Sequence, residues 1–234
     1  MGMTTVTAMR TGSRMTSDTA VTDPALILHQ WLSPAFPVGA FSYSHGLETA
    51  VASGQIRDAA STRDWIEDAL QHGAGQADAI LLAAAWHAPD RDAPDEDLAE
   101  LARALAPSAE RLLEADRMGA AFAAAVRALH GIDMADAPYP VAFGRAARAL
   151  NLPLPLCLTL YVQAFVANLV SAAVRLVPLG QTDGQRITHA LSPLIAQVAT
   201  RAQPGEVAQI GSAAFAVDIA SMRHETLVTR LFQS

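Results

Sequence analysis

Along the chain, apolar residues recur at steps of three and four, and the polar positions between them mark helix ends. Asp23-Pro24 reads as an N-cap followed by proline at the first helical position, and 25–32 then gives a short helix that Ser33-Pro34 stops. A loop rich in proline and glycine runs to Phe41, after which helical propensity resumes over 42–53 and ends at Gly54 as a left-handed cap. Ser61 with Asp64 three residues on resembles a capping box, Trp65, Ile66, Ala69 and Leu70 share one face, and Gly73 closes that helix. Further helices are expected at 76–88, 94–105, 108–130, 140–150, 155–177, 184–202 and 214–232. Leu112, Ala115, Met118, Phe122, Val126 and Leu129 form the longest apolar stripe, and Val217, Ala220, Leu227, Val228 and Leu231 form that of the last helix. Alternating β-branched runs are missing and alanine is frequent. The pattern therefore predicts an all-α, single-domain bundle of about ten helices over 24–234, preceded by a disordered tail over 1–23.

Composition narrows what such a bundle does. Hydrophobic residues make up 51% and charged residues 17%, which suits a packed body and not a disordered chain. The net charge of −7 lacks the positive field by which proteins neutralise phosphates, so nucleic acid is not an expected partner. All 16 basic residues are arginine; without lysine there is no Schiff base, no pyridoxal-phosphate attachment and no Walker-type phosphate lysine. The single cysteine, Cys157, makes neither an internal disulfide nor a cysteine-based zinc site, and fits a reducing, cytoplasmic compartment. Before Asp23, Arg10 and Arg14 stand among Ser, Thr and Gly without the apolar stretch of a secretory signal, and the segment reads as disordered and not as a transit peptide. No charge falls between Arg148 and Arg175, and 156–174 has the length of a membrane span. Gln163 and Asn168 in its middle, Pro153 and Pro155 at its start and the lack of a second such stretch favour a buried central helix, with no membrane.

Candidate chemistry is sparse. Ser42, Ser44 and His45 stand together, but Gly39-Ala40-Phe41-Ser42-Tyr43 lacks the second glycine and the preceding strand of a nucleophile elbow, so Ser42 or Ser44 reads as a helix cap. The histidines at 29, 45, 72, 87, 130, 189 and 224 include no pair at the i, i+4 spacing of a helical metal site. His224-Glu225 is the pair in the most polar segment, although adjacent helical residues point about 100° apart and do not easily clamp one ion. Asp95-Glu96-Asp97 follows Pro94 at a helix start, where negative charge complements the helix dipole. Phe36, Phe41 and Tyr43 are aromatic anchors within the proline- and glycine-rich loop, turned either into the core or onto a partner. No catalytic residue and no cofactor site is expected.

One family matches these residues. Trp31-Leu32-Ser33-Pro34-Ala35-Phe36-Pro37-Val38-Gly39-Ala40-Phe41-Ser42-Tyr43-Ser44-His45-Gly46-Leu47-Glu48 closely resembles the signature of the urease accessory protein F family. Tyr139-Pro140-Val141-Ala142-Phe143-Gly144, the stretch from Val174 to Gln181 and the ending from Asp218 to Ser234 resemble further family blocks in the same order. The block Pro107-Ser108-Ala109-Glu110-Arg111-Leu112-Leu113 with Met118-Gly119 matches only loosely.

The resemblance implies a non-enzymatic homodimer that bridges the urease-binding scaffold protein, called D or H, and the nickel-carrying GTPase, called G. Together these load nickel into apo-urease, with nickel and GTP on the GTPase and its activity modulated by the adaptor. A histidine-based nickel metallochaperone is the alternative. By the resemblance, Ser33, Pro34, Pro37, Gly39, Phe41, Ser42, Gly46, Leu47 and Glu48 belong to a loop that settles against the C-terminal tail and helps form the scaffold-facing surface. Arg223, His224, Glu225 and Arg230 complete the partner-binding set, with the Arg230 guanidinium expected on backbone carbonyls of that loop. A dimer contact is placed on the uncharged helix near Thr159, Tyr161 and Gln163, since symmetric association covers apolar surface. The turn Gln181, Asp183, Gln185 and Arg186 also matches the family and reads equally as a helix cap.

Overall fold

The computed structural model describes residues 1–2, 23–88, 95–211 and 213–234. Most of the tail expected to be disordered, 3–22, lies outside the described residues, as do the side chains of Phe41, Asp95 and Glu96. Ten α-helices follow one another among the described residues: α1 (Pro24–Trp31), α2 (Leu47–Ala52), α3 (Ala59–Gln71), α4 (Ala74–His87), α5 (Asp95–Ala104), α6 (Ala109–His130), α7 (Tyr139–Ala149), α8 (Leu154–Leu176), α9 (Gln181–Ala202) and α10 (Phe215–His224). Short 3-10 turns occupy Ala40–Ser42 and Val207–Gln209, and no strand occurs among the described residues. The expected all-α architecture is the one observed.

The helix ends show local sequence at work. Asp23 accepts the Ala25 amide at 2.8 Å and Pro24 opens α1, as the cap signal predicts. The capping box of α3 lies three residues earlier than expected: Asp58 is the N-cap and Ser61 stands at N3, with both reciprocal bonds formed. The helix expected over 42–53 is shorter, because Gly46 at φ 75° breaks the chain between the 3-10 turn and α2.

At the centre, α4 packs against α3, α7, α8 and α9, and α8 against α3, α4 and α9. Residues 79–85 of α4 are buried without interruption, so this helix is covered on all sides. Small residues permit that approach: a Cβ on Gly144 of α7 would lie 2.3 Å from the Leu82 carbonyl oxygen of α4. Trp31, Phe122 and Phe143 tie α1, α6 and α7 together through edge-on and stacked ring contacts with centroids 5.2–5.5 Å apart. Phe36 and Tyr43 are buried, which settles the direction of two of the three loop aromatics as inward.

Helix α8 is the one described helix long and apolar enough to cross a membrane, and half of its most apolar window is buried within the fold. Its buried residues, among them Cys157, Leu158, Tyr161, Val162 and Phe165, form one stripe, while Thr159 and Ala167 face out. Tyr161 is therefore a core residue whose hydroxyl lies 3.4 Å from Asp78, which corrects its placement on a dimer face; Thr159 is exposed and Gln163 half-buried. On α6 the stripe is likewise displaced at both ends. Leu129 is exposed, whereas Arg111 and Glu114 are buried beside Met118, Phe122 and Val126.

Candidate partner-docking site

The helix expected over 214–232 stops at His224, and residues 225–234 leave it as an irregular strap. The cause is tertiary. The Glu48 carboxylate on α2 accepts the Leu231 amide at 2.7 Å and the Phe232 amide at 3.0 Å, taking donors that a continuing helix would have used internally. Beside the Glu48 contact, the Ser44 amide and hydroxyl donate to the Ser234 carbonyl at 2.8 and 2.5 Å, and the Gln233 amide donates to the Ser42 carbonyl at 2.7 Å. Phe232 is buried, and the Arg175 guanidinium sits 4.5 Å above its ring. Loop and strap thus meet as the resemblance implies.

A second set of contacts ties the strap to α6. The His224 ring lies between two carboxylates, with Nε2 3.1 Å from Glu48 and Nδ1 2.6 Å from Glu110. Arg230 is paired with Glu110 at 2.5 Å, so its partner is a carboxylate on α6 where loop carbonyls were expected. Ser108 and Ser221 share a hydrogen bond of 2.8 Å, and Glu225 accepts the Ala109 amide at 2.8 Å, joining the start of α6 to α10. The crossing of α2 and α10 needs glycine at 46: a Cβ there would stand 2.6 Å from the Ser221 amide nitrogen, and φ is 75°.

Deeper in, Glu114 is held by Arg111 and by His45, whose Nε2 is 3.2 Å away. Burial opposes ionisation of Glu114, but the Arg111 and His45 charges and hydrogen bonds hold its carboxyl at about 2. The same burial, with Arg111 alongside, lowers the His45 value from the ordinary range against the pull of Glu114. Asp78 is pushed up to about 6 by burial, and burial together with the Asp78 charge raises Tyr161 well above a free tyrosine.

The expected partner-binding residues fall into two groups. Pro34, Pro37, Gly39, Arg223, Glu225 and Arg230 are exposed, and Ser33 and Ser42 are half-buried. Gly46, Leu47, Glu48 and His224 are buried, which corrects their placement on the contact surface: they hold the strap and α10 in position. The most exposed apolar surface lies beside them. Phe215, Ile219 and Met222, at i, i+4 and i+7, share one face of α10 and are 69%, 47% and 51% exposed; on the strap, Val228 is 98% exposed. Among the described residues no group of three or more His, Cys, Asp or Glu is arranged to hold a metal ion; the His224 nitrogens point at carboxylates on opposite sides of its ring.

Sequence reasoning missed Glu110, Arg111 and Glu114. Glu110 and Glu114 stand at i, i+4 and Arg111 and Glu114 at i, i+3, but a solvated helix face has the same pattern.

Comparison with known proteins agrees with this architecture. The sequence profile of the UreF family matches residues 56–192. The urease accessory protein UreF of Cereibacter sphaeroides is 57% identical over 209 residues, covering 89% of this chain and 98% of that protein. The UreF proteins of Roseobacter denitrificans and Rhodopseudomonas palustris are 53% and 48% identical, covering 91% and 88% of this chain and 95% and 92% of their own lengths. With its helical body, its strapped loop and likeness along nine-tenths of its length, the chain belongs to the UreF family of urease accessory proteins.

Proposed function

We propose that this chain is a non-enzymatic, cytoplasmic adaptor in urease maturation, bridging the urease-binding scaffold protein D/H and the nickel-carrying GTPase G. Its part is recognition: it seats the scaffold, presents the GTPase and so modulates when nickel passes to apo-urease. Nickel is cargo of the complex, and nickel and GTP sit on the GTPase, with no resident cofactor in the adaptor.

The observation that supports this reading most is the exposed apolar face Phe215, Ile219 and Met222 of α10, followed in the chain by the exposed strap residues Val228, Arg230 and Leu231. Large exposed apolar residues grouped on one helix face are characteristic of contact surfaces, and the charges around them supply a polar rim. Buried Glu48 and His224 fix that surface before any partner arrives, which lowers the ordering cost of binding. Homodimer contact is proposed along the outer edge of α8 near Thr159 and Gln163.

Co-purification of the tagged scaffold with the Phe215→Ser/Met222→Ser variant tests the docking surface. We expect loss of the complex with the helical circular dichroism spectrum kept, and nickel-poor, inactive urease in cells carrying the variant. Full recovery of the scaffold by a folded variant would sink the proposal.

A further inference from the structure

Beneath the loop that follows α1 lies a cavity of about 100 Å³ whose wall includes His45, Asp78, Arg111, Glu114, Tyr161 and Phe165. A second cavity, of about 70 Å³, shares Asp78, Leu81, Ala102, Arg111 and Ala115 with it, so the two meet between α4, α5 and the start of α6, with Asp78 and Arg111 as the shared charged residues. Ser44, Glu48, Phe232 and Ser234 line neither cavity. Strap and cavity nevertheless share one carboxylate. Glu114 accepts the Ser234 hydroxyl at 2.7 Å on the oxygen that also pairs with Arg111, and its other oxygen faces His45.

His45 is the strained member of this set. Its φ of 52° is a conformation that a residue with a side chain keeps only where its neighbours hold it. Those neighbours are Glu114, Arg111 with Nη1 3.0 Å from the ring nitrogen, and the Phe165 ring, edge-on at 5.0 Å. The strap completes the arrangement from behind by covering Ser44 and saturating Glu114.

We infer that residues 225–234 form a strap whose seating shapes the cavity wall at His45, with Glu114 as the joint between them. Lifting the strap removes the Ser234 hydroxyl and brings water to Ser44 and Glu114. Water weakens the Arg111–Glu114 attraction, which scales inversely with the local dielectric. His45 then loses the contacts that hold its backbone, the wall relaxes, and Arg111 has Asp78 as the other carboxylate facing it. The cavity, already reached from outside at Pro34, widens at its His45 wall when the strap leaves. A protein gripping the outward Val228, Arg230 and Leu231 would act on the cavity by this route. That last consequence rests on the docking proposal, whereas the device itself belongs to the chain alone.

Thiol labelling tests it. Ala164→Cys puts a thiol on the cavity wall next to Phe165, while the natural Cys157, fully buried and with its thiol pushed up to about 12 by burial, reports global unfolding. Glu48→Ala and Phe232→Ala loosen the strap from outside the cavity, verified by faster hydrogen exchange of the Leu231 and Phe232 amides. Truncation after His224 supplies the fully released limit. We expect the introduced thiol to react about tenfold faster once the strap is loosened, with Cys157 silent, as local opening without unfolding requires. An unchanged rate in the truncated chain with Cys157 silent overturns the inference. So does equal acceleration of both thiols, because the strap would then be part of the global core.

Discussion

Glu114→Gln probes the buried charges most directly, since it keeps size and one acceptor oxygen but leaves Arg111, 8% exposed, without its close countercharge. Removing one partner of a buried pair costs about 3–5 kcal/mol, and Asp78, which also faces Arg111, places the expectation at the low end, about 3 kcal/mol. Titration of the same carboxyl leads to a similar size. Folded Glu114 sits at about 2 against an ordinary 4.5, a difference worth roughly 3 kcal/mol at about 1.4 kcal/mol per pH unit. Because the folded value is the lower one, the unfolded chain binds more protons between these limits. The stabilisation is therefore complete above pH 4.5 and lost as pH falls towards 2. At pH 3 about three-fifths of it is gone. Urea unfolding followed by circular dichroism should separate wild type and variant by about 3 kcal/mol at pH 7 and by about 1 kcal/mol at pH 3. A separation below about 1 kcal/mol at pH 7, or one that keeps its size at pH 3, refutes the reasoning.

Two further outcomes follow from geometry and burial. Gly46→Ala forces a Cβ to within 2.6 Å of the Ser221 amide nitrogen at a positive φ, and should lower the melting temperature by roughly 6 °C or more, about 2 kcal/mol or more at this chain length; a melt within 2 °C of wild type would show that α2 and α10 separate freely. For Asp78 the sign is opposite to that of Glu114: its folded value, about 6, lies above the ordinary 3.8, so its stabilisation is complete below the lower value and lost as pH rises through the upper one. Asp78→Asn should therefore be more stable than wild type by about 1–3 kcal/mol at pH 8 and indistinguishable below pH 4, which melts at the two pH values would check.

The helical body was legible because helix formation is local. The periods, the Asp23-Pro24 start and Gly131 at φ 65° closing α6 depend on residues within a few positions of one another. The boundary misplaced at the chain's last helix has a different cause, competition from distant partners. Leu227, Val228 and Leu231 continue a helical stripe on paper, yet Glu48 and Ser44 capture the backbone of that segment from the other end of the chain. Apolar periodicity likewise carried Leu129 into the expected core of α6, although it is exposed.

The site divides along the same line. Which segments carry the family pattern was written in the residues, and two of them, the loop from Ser33 to Glu48 and the ending from Asp218 to Ser234, do meet. Which of their residues face outward was not. Leu47, Glu48 and His224 are buried, Tyr161 lies in the core, and Arg230 finds Glu110. By itself the sequence determined that the chain is helical, where most of its helices run, and the family it belongs to. Only the tertiary structure decided that Glu48, Glu110 and Glu114 hold a strap more than a hundred residues away. A helix repeats every 3.6 residues wherever it stands, but a buried charge is satisfied only by the partner that the path of the whole chain delivers.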